Sequence, residues 1–160
     1  MHNTFLKIAP SNINGQGLFS TIKISNNAPI IEITGKLYNS DNIPNNQTVI
    51  QIGNNLYIGA SGGMDDYINH SCNPNCYLHI VGKRAFLYSI YEIKKNSEIT
   101  FDYSTTSTDS LDDWEMLCTC QSIKCRKIIS GWQYLNKELI NIYNKNNILP
   151  FFMKKIINER

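Results

Sequence analysis

From Phe5 to Tyr103 the chain reads as short apolar runs, rich in Ile, Val, Thr and Tyr, separated by Gly, Asn and Pro. Such runs suit pleated, half-buried strands, and the breakers between them suit turns. Leu18–Ile24, Pro29–Thr34, Thr48–Ile52, Leu56–Gly59 and Glu98–Phe101 are predicted as strands. Tyr77–Val81 and Arg84–Ile90 flank Gly82 and Lys83, which predicts a hairpin. Short strands at this spacing indicate a mainly β body rather than alternating strands and helices.

The period changes after Tyr103. Ser104–Ser110 is rich in Ser, Thr and Asp and predicts a loop. Ser110 and Asp113 fit a capping box that opens a short helix through Trp114 and Met116. Farther on, Trp132, Leu135, Leu139, Ile142 and Tyr143 recur at helical spacing. Pro150 suits the first turn of a last helix carrying Phe151, Met153 and Ile157. The end of the chain is therefore expected to be a pair of helices packed on the β body.

Composition narrows the functional classes. A chain of 160 residues with 42% hydrophobic and 18% charged residues fits one folded unit with a real core. A net charge of +2 is too small to argue for direct nucleic-acid binding. No apolar run approaches the ~18 residues of a membrane span, so no membrane role is expected. Met1–Pro10 carries no apolar leader, which points to a cytoplasmic protein; a pathogen's effector exported to a host nucleus is the alternative. Five cysteines, Cys72, Cys76, Cys118, Cys120 and Cys125, make an odd and tightly clustered set, which favours a metal over disulfides. Reduced, buried thiols without a metal are the plainer reading of the same residues.

Three further segments carry candidate chemistry. Gly15-Gln16-Gly17 places two glycines before a strand, where backbone can approach a ligand or simply turn. Asn69-His70-Ser71-Cys72-Asn73-Pro74-Asn75-Cys76 is either a binding segment or an Asx-rich loop around a structural histidine. Glu98-Ile99-Thr100-Phe101-Asp102-Tyr103 ends a strand on two aromatics, which suits a site rim or ordinary core packing.

Taken in order, Gly-x-Gly-Leu-Phe, Asn-His-Ser-Cys-x-Pro-Asn, Glu-Ile-Thr-Phe-Asp-Tyr and Cys-x-Cys-x4-Cys resemble the SET-domain protein-lysine methyltransferases that carry a post-SET segment. The likeness runs from about Lys7 to Gly131. It implies a mainly β, β-clip-like SET fold of short strands with a pseudoknot, then a zinc-binding post-SET loop and a helical C-terminal tail. The corresponding divisions are 1–117, 118–131 and 132–160.

The resemblance also implies roles. Gly15, Gln16 and Gly17 would lie along the methionine part of S-adenosylmethionine, and Asn69 and His70 against its amino and adenine groups. Tyr103 would be the catalytic tyrosine and a cofactor contact. Phe101 would occupy the position where phenylalanine goes with di- or trimethylation and tyrosine with monomethylation. Cys72, Cys118, Cys120 and Cys125 would hold a structural zinc, with Cys76 as a substitute for Cys72. The implied partner is a lysine in a protein or peptide, most naturally a basic one such as a histone tail. Asp65, Asp66, Asp102, Asp109, Asp112, Asp113 and Glu115 gather near this site, and a negative rim would attract such a substrate.

Two departures bear on activity. Many relatives carry Glu-Tyr-x-Gly on an early strand, whereas this chain has Glu32-Ile33-Thr34-Gly35. A basic residue common before Asn-His is replaced by Asp66. Two other readings therefore stand beside the enzyme: a SET-like binding module without turnover, and a small zinc-binding interaction domain.

Overall fold

In a computed structural model that describes residues 4–44, 48–107 and 114–158, with side chains to 155, the chain forms a body of short strands. These are β1 (Leu6–Pro10), β2 (Gln16–Ser20), β3 (Pro29–Ile33), β4 (Leu37–Tyr38), β5 (Val49–Gly53) and β6 (Leu56–Gly59). They continue as β7 (Asn69–His70), β8 (Cys76–Val81), β9 (Arg84–Ser89), β10 (Thr100–Phe101), β11 (Glu115–Leu117) and β12 (Ile128–Ser130). Two helices, α1 (Lys137–Lys145) and α2 (Phe151–Asn158), close the chain.

The strands assemble into small sheets: β1 with β2, β3-β9-β8, β4-β6-β5, β7 with β10, and β11 with β12. The predicted hairpin is β8–β9, with Val81 opposite Arg84 and Gly82 at φ +62° in the two-residue turn. Alternate side chains of these strands feed one core, in which Leu18, Ala85, Leu87 and Ile99 are fully buried.

The pairing that matters most for function is parallel and short. In β7–β10, Asn69 faces Thr100 and His70 faces Phe101, with Ser71 N–H donating to the Phe101 carbonyl at 3.0 Å. Two segments some thirty residues apart in sequence thereby become neighbours.

Beyond Tyr103 the structure departs from the sequence reading. Tyr103–Thr106 is one 3-10 turn, capped by the Asp102 side chain accepting Ser104 N–H, and Ser104, Thr105 and Thr106 are buried. The helix expected through Trp114 and Met116 is instead strand β11, with Met116 opposite Ile129 and Leu117 opposite Ile128. A cross-strand apolar partner stabilises the extended backbone here, overriding the local capping signal. Ser110 and Asp113 themselves lie outside the described residues.

The C-terminal segment is helical in two pieces, preceded by a 3-10 turn at Trp132–Tyr134. Asn136 caps α1 by accepting Leu139 N–H at 2.8 Å. Asn147, at φ +56°, turns the chain between the helices. Trp132, Tyr143, Leu149, Phe152 and Met153 form a second apolar cluster against Tyr77, Ile80 and Ile90 of the body.

Candidate active site

The parallel pair places Asn69 and His70 beside the strand that leads into Tyr103. These three residues line a cavity of about 250 Å³, closed on other sides by Ile13, Asn14 and Leu117. The glycine turn follows Asn14 of this lining: Gly15, at φ +49°, and Gln16 are exposed, while Gly17 is buried. Residue 17 has no room for a side chain, because a Cβ there would lie 2.2 Å from Glu98 Oε1.

Glu98, which the motifs leave as part of a strand, holds two of these segments together. Its carboxylate accepts the Ser11 hydroxyl at 2.8 Å and Asn69 Nδ2 at 2.7 Å. Asn69 Nδ2 also reaches the Gln16 carbonyl at 3.0 Å. Glu98 thus joins the glycine turn to the Asn-His strand. Its signal in sequence was a carboxylate opening an otherwise apolar segment.

A second, larger cavity of about 600 Å³ opens on the other side of Tyr103. Ile33, Ile58, Phe101 and Trp114 form apolar and aromatic walls, and Asp66 and Glu115 lie at its lining. Tyr103 and Met116 line both cavities and so form a wall that the two share. The Tyr103 hydroxyl donates to the Ile68 carbonyl at 2.8 Å, and its ring lies 5.0 Å from that of Phe101. Burial, then the Glu98 charge, pushes the phenol up to about 12, so it acts as a neutral donor rather than a base.

Not every acidic residue near the site forms a rim. Asp65 is buried and accepts Thr34 N–H at 2.7 Å and the Ser61 hydroxyl at 2.7 Å. Asp102 is 1% exposed and bound bidentately by Arg126, at 2.6 and 2.7 Å. Burial would raise the Asp102 carboxyl, but the hydrogen bonds and charge of Arg126 hold it below the usual carboxylate range. Asp109, Asp112 and Asp113 lie outside the described residues. Asp65, Asp66 and Glu115 line the larger cavity, and the exposed Asp66 carboxylate accepts Ser61 N–H at 3.0 Å and Gly62 N–H at 2.7 Å.

His70 accepts Tyr103 N–H on Nδ1 at 3.1 Å, which leaves its proton on Nε2, 3.2 Å from Cys72 Sγ. Nδ1 is also 3.5 Å from Asp102. Burial nonetheless drives the imidazole down to about 4 against the pull of Asp102, so the ring is neutral and this contact is not an ion pair.

The cysteines converge as the spacing of three of them and the family resemblance for Cys72 implied. The sulfur atoms of Cys72, Cys118, Cys120 and Cys125 all lie within 4.8 Å of one another. A tetrahedral zinc with Zn–S near 2.3 Å sets sulfurs about 3.8 Å apart, and Cys72 and Cys118 are 3.6 Å apart. Four thiolates this close need a cation between them, so the donor set fits zinc. Cys76 is elsewhere, fully buried in β8 with its thiol donating to Asn75 Oδ1 at 3.3 Å. Cys72 is therefore the thiol that the Asn-His segment contributes to the cluster.

The loop that carries three of these thiols also covers the smaller cavity. Thr119 Oγ1 donates to the Ile13 carbonyl at 2.6 Å, and Gln121 Nε2 to the Asn12 carbonyl at 2.7 Å. The cysteine loop, Asn14 beside the glycine turn and Tyr103 thus line one space.

Known proteins are similar to this chain. The histone-lysine N-methyltransferase trithorax of Drosophila virilis is 28% identical over 145 residues, covering 81% of this chain. Human histone-lysine N-methyltransferase SETD1B is 31% identical over 139 residues, covering 76% of this chain. The chain spans only 4% and 7% of those two proteins. The solved structure of KRYPTONITE with mCHH DNA, an H3(1–15) peptide and SAH has a similar fold, with a TM-score of 0.62 and 23% identity over 77% of this chain and 29% of that one. Residues 15–104 match the family model of the SET domain, and with more than half of its length in that match the chain belongs to the SET-domain family.

Proposed function

We propose that this protein is a protein-lysine N-methyltransferase that takes its methyl group from S-adenosylmethionine. The observation that carries this reading is that Tyr103 lines two cavities. One has Asn14, Asn69 and His70 in its lining; the other is apolar, aromatic and acid-lined. The histone-lysine methyltransferases among its relatives, and the SAH and H3 peptide in the KRYPTONITE structure, support it.

The smaller cavity suits the cofactor. Asn14, Asn69 and His70 offer polar atoms, and Leu117 an apolar wall. The bound cofactor supplies an electrophilic methyl on a sulfonium. Alignment is the main task of the protein in such an in-line transfer. The Tyr103 phenol, fixed by Ile68, sits in the wall shared by the two cavities and orients the acceptor amine. That amine must be neutral to attack. With an ordinary lysine pKa near 10.4, deprotonation at pH 7.4 costs about 4 kcal/mol. Walls such as Ile33, Phe101 and Trp114 disfavour the charged form by desolvation, so no dedicated base is required. Ile33 keeps the wall apolar in place of the family's aromatic.

Asp66 and Glu115 favour a basic peptide, such as a histone tail, at the mouth of the larger cavity. Phe101 offers no hydroxyl at its position to hold a water, which favours di- and trimethylation. The direct test is transfer of radiolabelled methyl to core histones and to a lysate of the source cell, with Tyr103→Phe in parallel. Label on a discrete protein, lost in the variant, supports the enzyme. Absence of label in both pools despite tight cofactor binding would favour a SET-like binding module.

A further inference from the structure

Asp102, immediately before Tyr103, joins three parts of the chain that the SET motifs treat separately. Its Oδ1 accepts Arg126 Nη2 at 2.7 Å and Ser104 N–H at 3.0 Å. Its Oδ2 accepts Arg126 Nη1 at 2.6 Å and the Tyr143 hydroxyl at 2.7 Å. A carboxylate has about four acceptor positions, and all are used here.

The donors come from different places. Arg126 follows the last thiol of the metal cluster, and its backbone N–H points at Cys72 Sγ, 3.3 Å away. Its Nη2 also reaches Ser104 Oγ at 3.1 Å, and that hydroxyl donates to the Ser130 carbonyl on β12. Tyr143 belongs to α1, is 3% exposed and has its ring in the apolar cluster of the C-terminal segment. The final helices therefore do more than cover the β body: one of them reaches the catalytic strand through a hydroxyl.

Bidentate binding by a guanidinium needs the carboxylate plane held in one orientation. Ser104 N–H fixes Oδ1, and Tyr143 is the donor that fixes Oδ2 besides Arg126 itself. We propose that Tyr143 is a positioning residue for the methyl-transfer site, and that helix α1, through this hydroxyl, is a working part of that site. Through Asp102 it holds Arg126, and Arg126 holds the 118–127 loop closed over the smaller cavity. This inference rests on the methyltransferase reading for its purpose, though not for its geometry.

Tyr143→Phe keeps the ring in its cluster and removes only the hydroxyl. Ile148→Val trims the same cluster without touching Asp102, and so reports what a merely structural loss does. In the metal-loaded full chain, Tyr143→Phe should speed amide hydrogen exchange across 118–127 about tenfold, as expected for losing a hydrogen bond to a charged group. It should weaken S-adenosylhomocysteine binding, read by calorimetry, by a similar factor, while kcat at saturating cofactor changes by less than about twofold. Ile148→Val should leave loop exchange and binding as in the parent protein. Unchanged loop exchange in Tyr143→Phe, or equal acceleration in both variants, overturns the proposal. If the parent protein does not bind S-adenosylhomocysteine at all, the methyltransferase reading falls, and loop exchange alone still decides the role of Tyr143.

Discussion

At the scale of single residues, the site depends on groups whose surroundings leave them one role. Tyr103 is held neutral by burial and fixed by one hydrogen bond to Ile68. Losing that hydroxyl should cost alignment rather than folding. Tyr103→Phe is expected to lower kcat about 100-fold with little change in melting temperature; steady-state kinetics beside a thermal melt would check both. Phe101→Tyr places a hydroxyl in the larger cavity, and mass spectrometry of the product should then show monomethyl-lysine accumulating where the parent gives di- and trimethyl forms. A parent enzyme that stops at monomethyl-lysine would exclude this account of Phe101. Gly17 makes a different point. A methyl there collides with Glu98, and the carboxylate cannot simply swing away because Ser11 and Asn69 bind it. Gly17→Ala should destabilise by about 1–3 kcal/mol in denaturant unfolding and weaken cofactor binding as well.

At the scale of elements, the parallel pair β7–β10 and the antiparallel pair β11–β12 build the site between them. The first is only two residues long on each strand, so side chains and the metal cluster must hold what backbone pairing does not. Zinc would tie Cys72, next to β7, to the loop between β11 and β12. Removing the metal with a chelator should therefore release that loop, lower the melting temperature and raise the cofactor's dissociation constant; titration calorimetry with and without chelator reads the last effect. Equal affinity in both conditions would separate the metal from the cavity. The helix expected over Trp114 and Met116 failed for a related reason. Its partner, Ile128–Ser130, lies beyond the cysteine loop, and no local pattern announces a cross-strand neighbour that far along the chain.

At the scale of the whole molecule, Asp102 ties body, metal loop and C-terminal helix together, and this makes stability depend on acid. Its carboxyl titrates lower in the folded chain than the value near 3.9 of an unfolded one. Its contribution is therefore complete above about pH 4 and is lost as pH falls through the folded value. Acid unfolding followed by tryptophan fluorescence should show this rise up to about pH 4. Asp102→Asn should flatten it and lower the plateau by about 3 kcal/mol, because Arg126 keeps its charge without a charged partner.

What the sequence determined by itself is considerable: the mainly β class, the β8–β9 hairpin around Gly82, helices after Gly131, the family motifs and the four thiols suited to a metal. Each of these rests on local spacing, on turn chemistry or on residue types that few other roles require. Only the tertiary structure decided the rest. It showed that Glu98 links the glycine turn to Asn69, that Asp102 is a buried junction rather than part of an acidic rim, and that Tyr143 reaches the strand before Tyr103. It also turned an expected helix into β11. The physical reason is common to all four. A side chain's charge, burial and hydrogen-bond partners are set by residues tens of positions away, and periodicity along the chain carries no record of them.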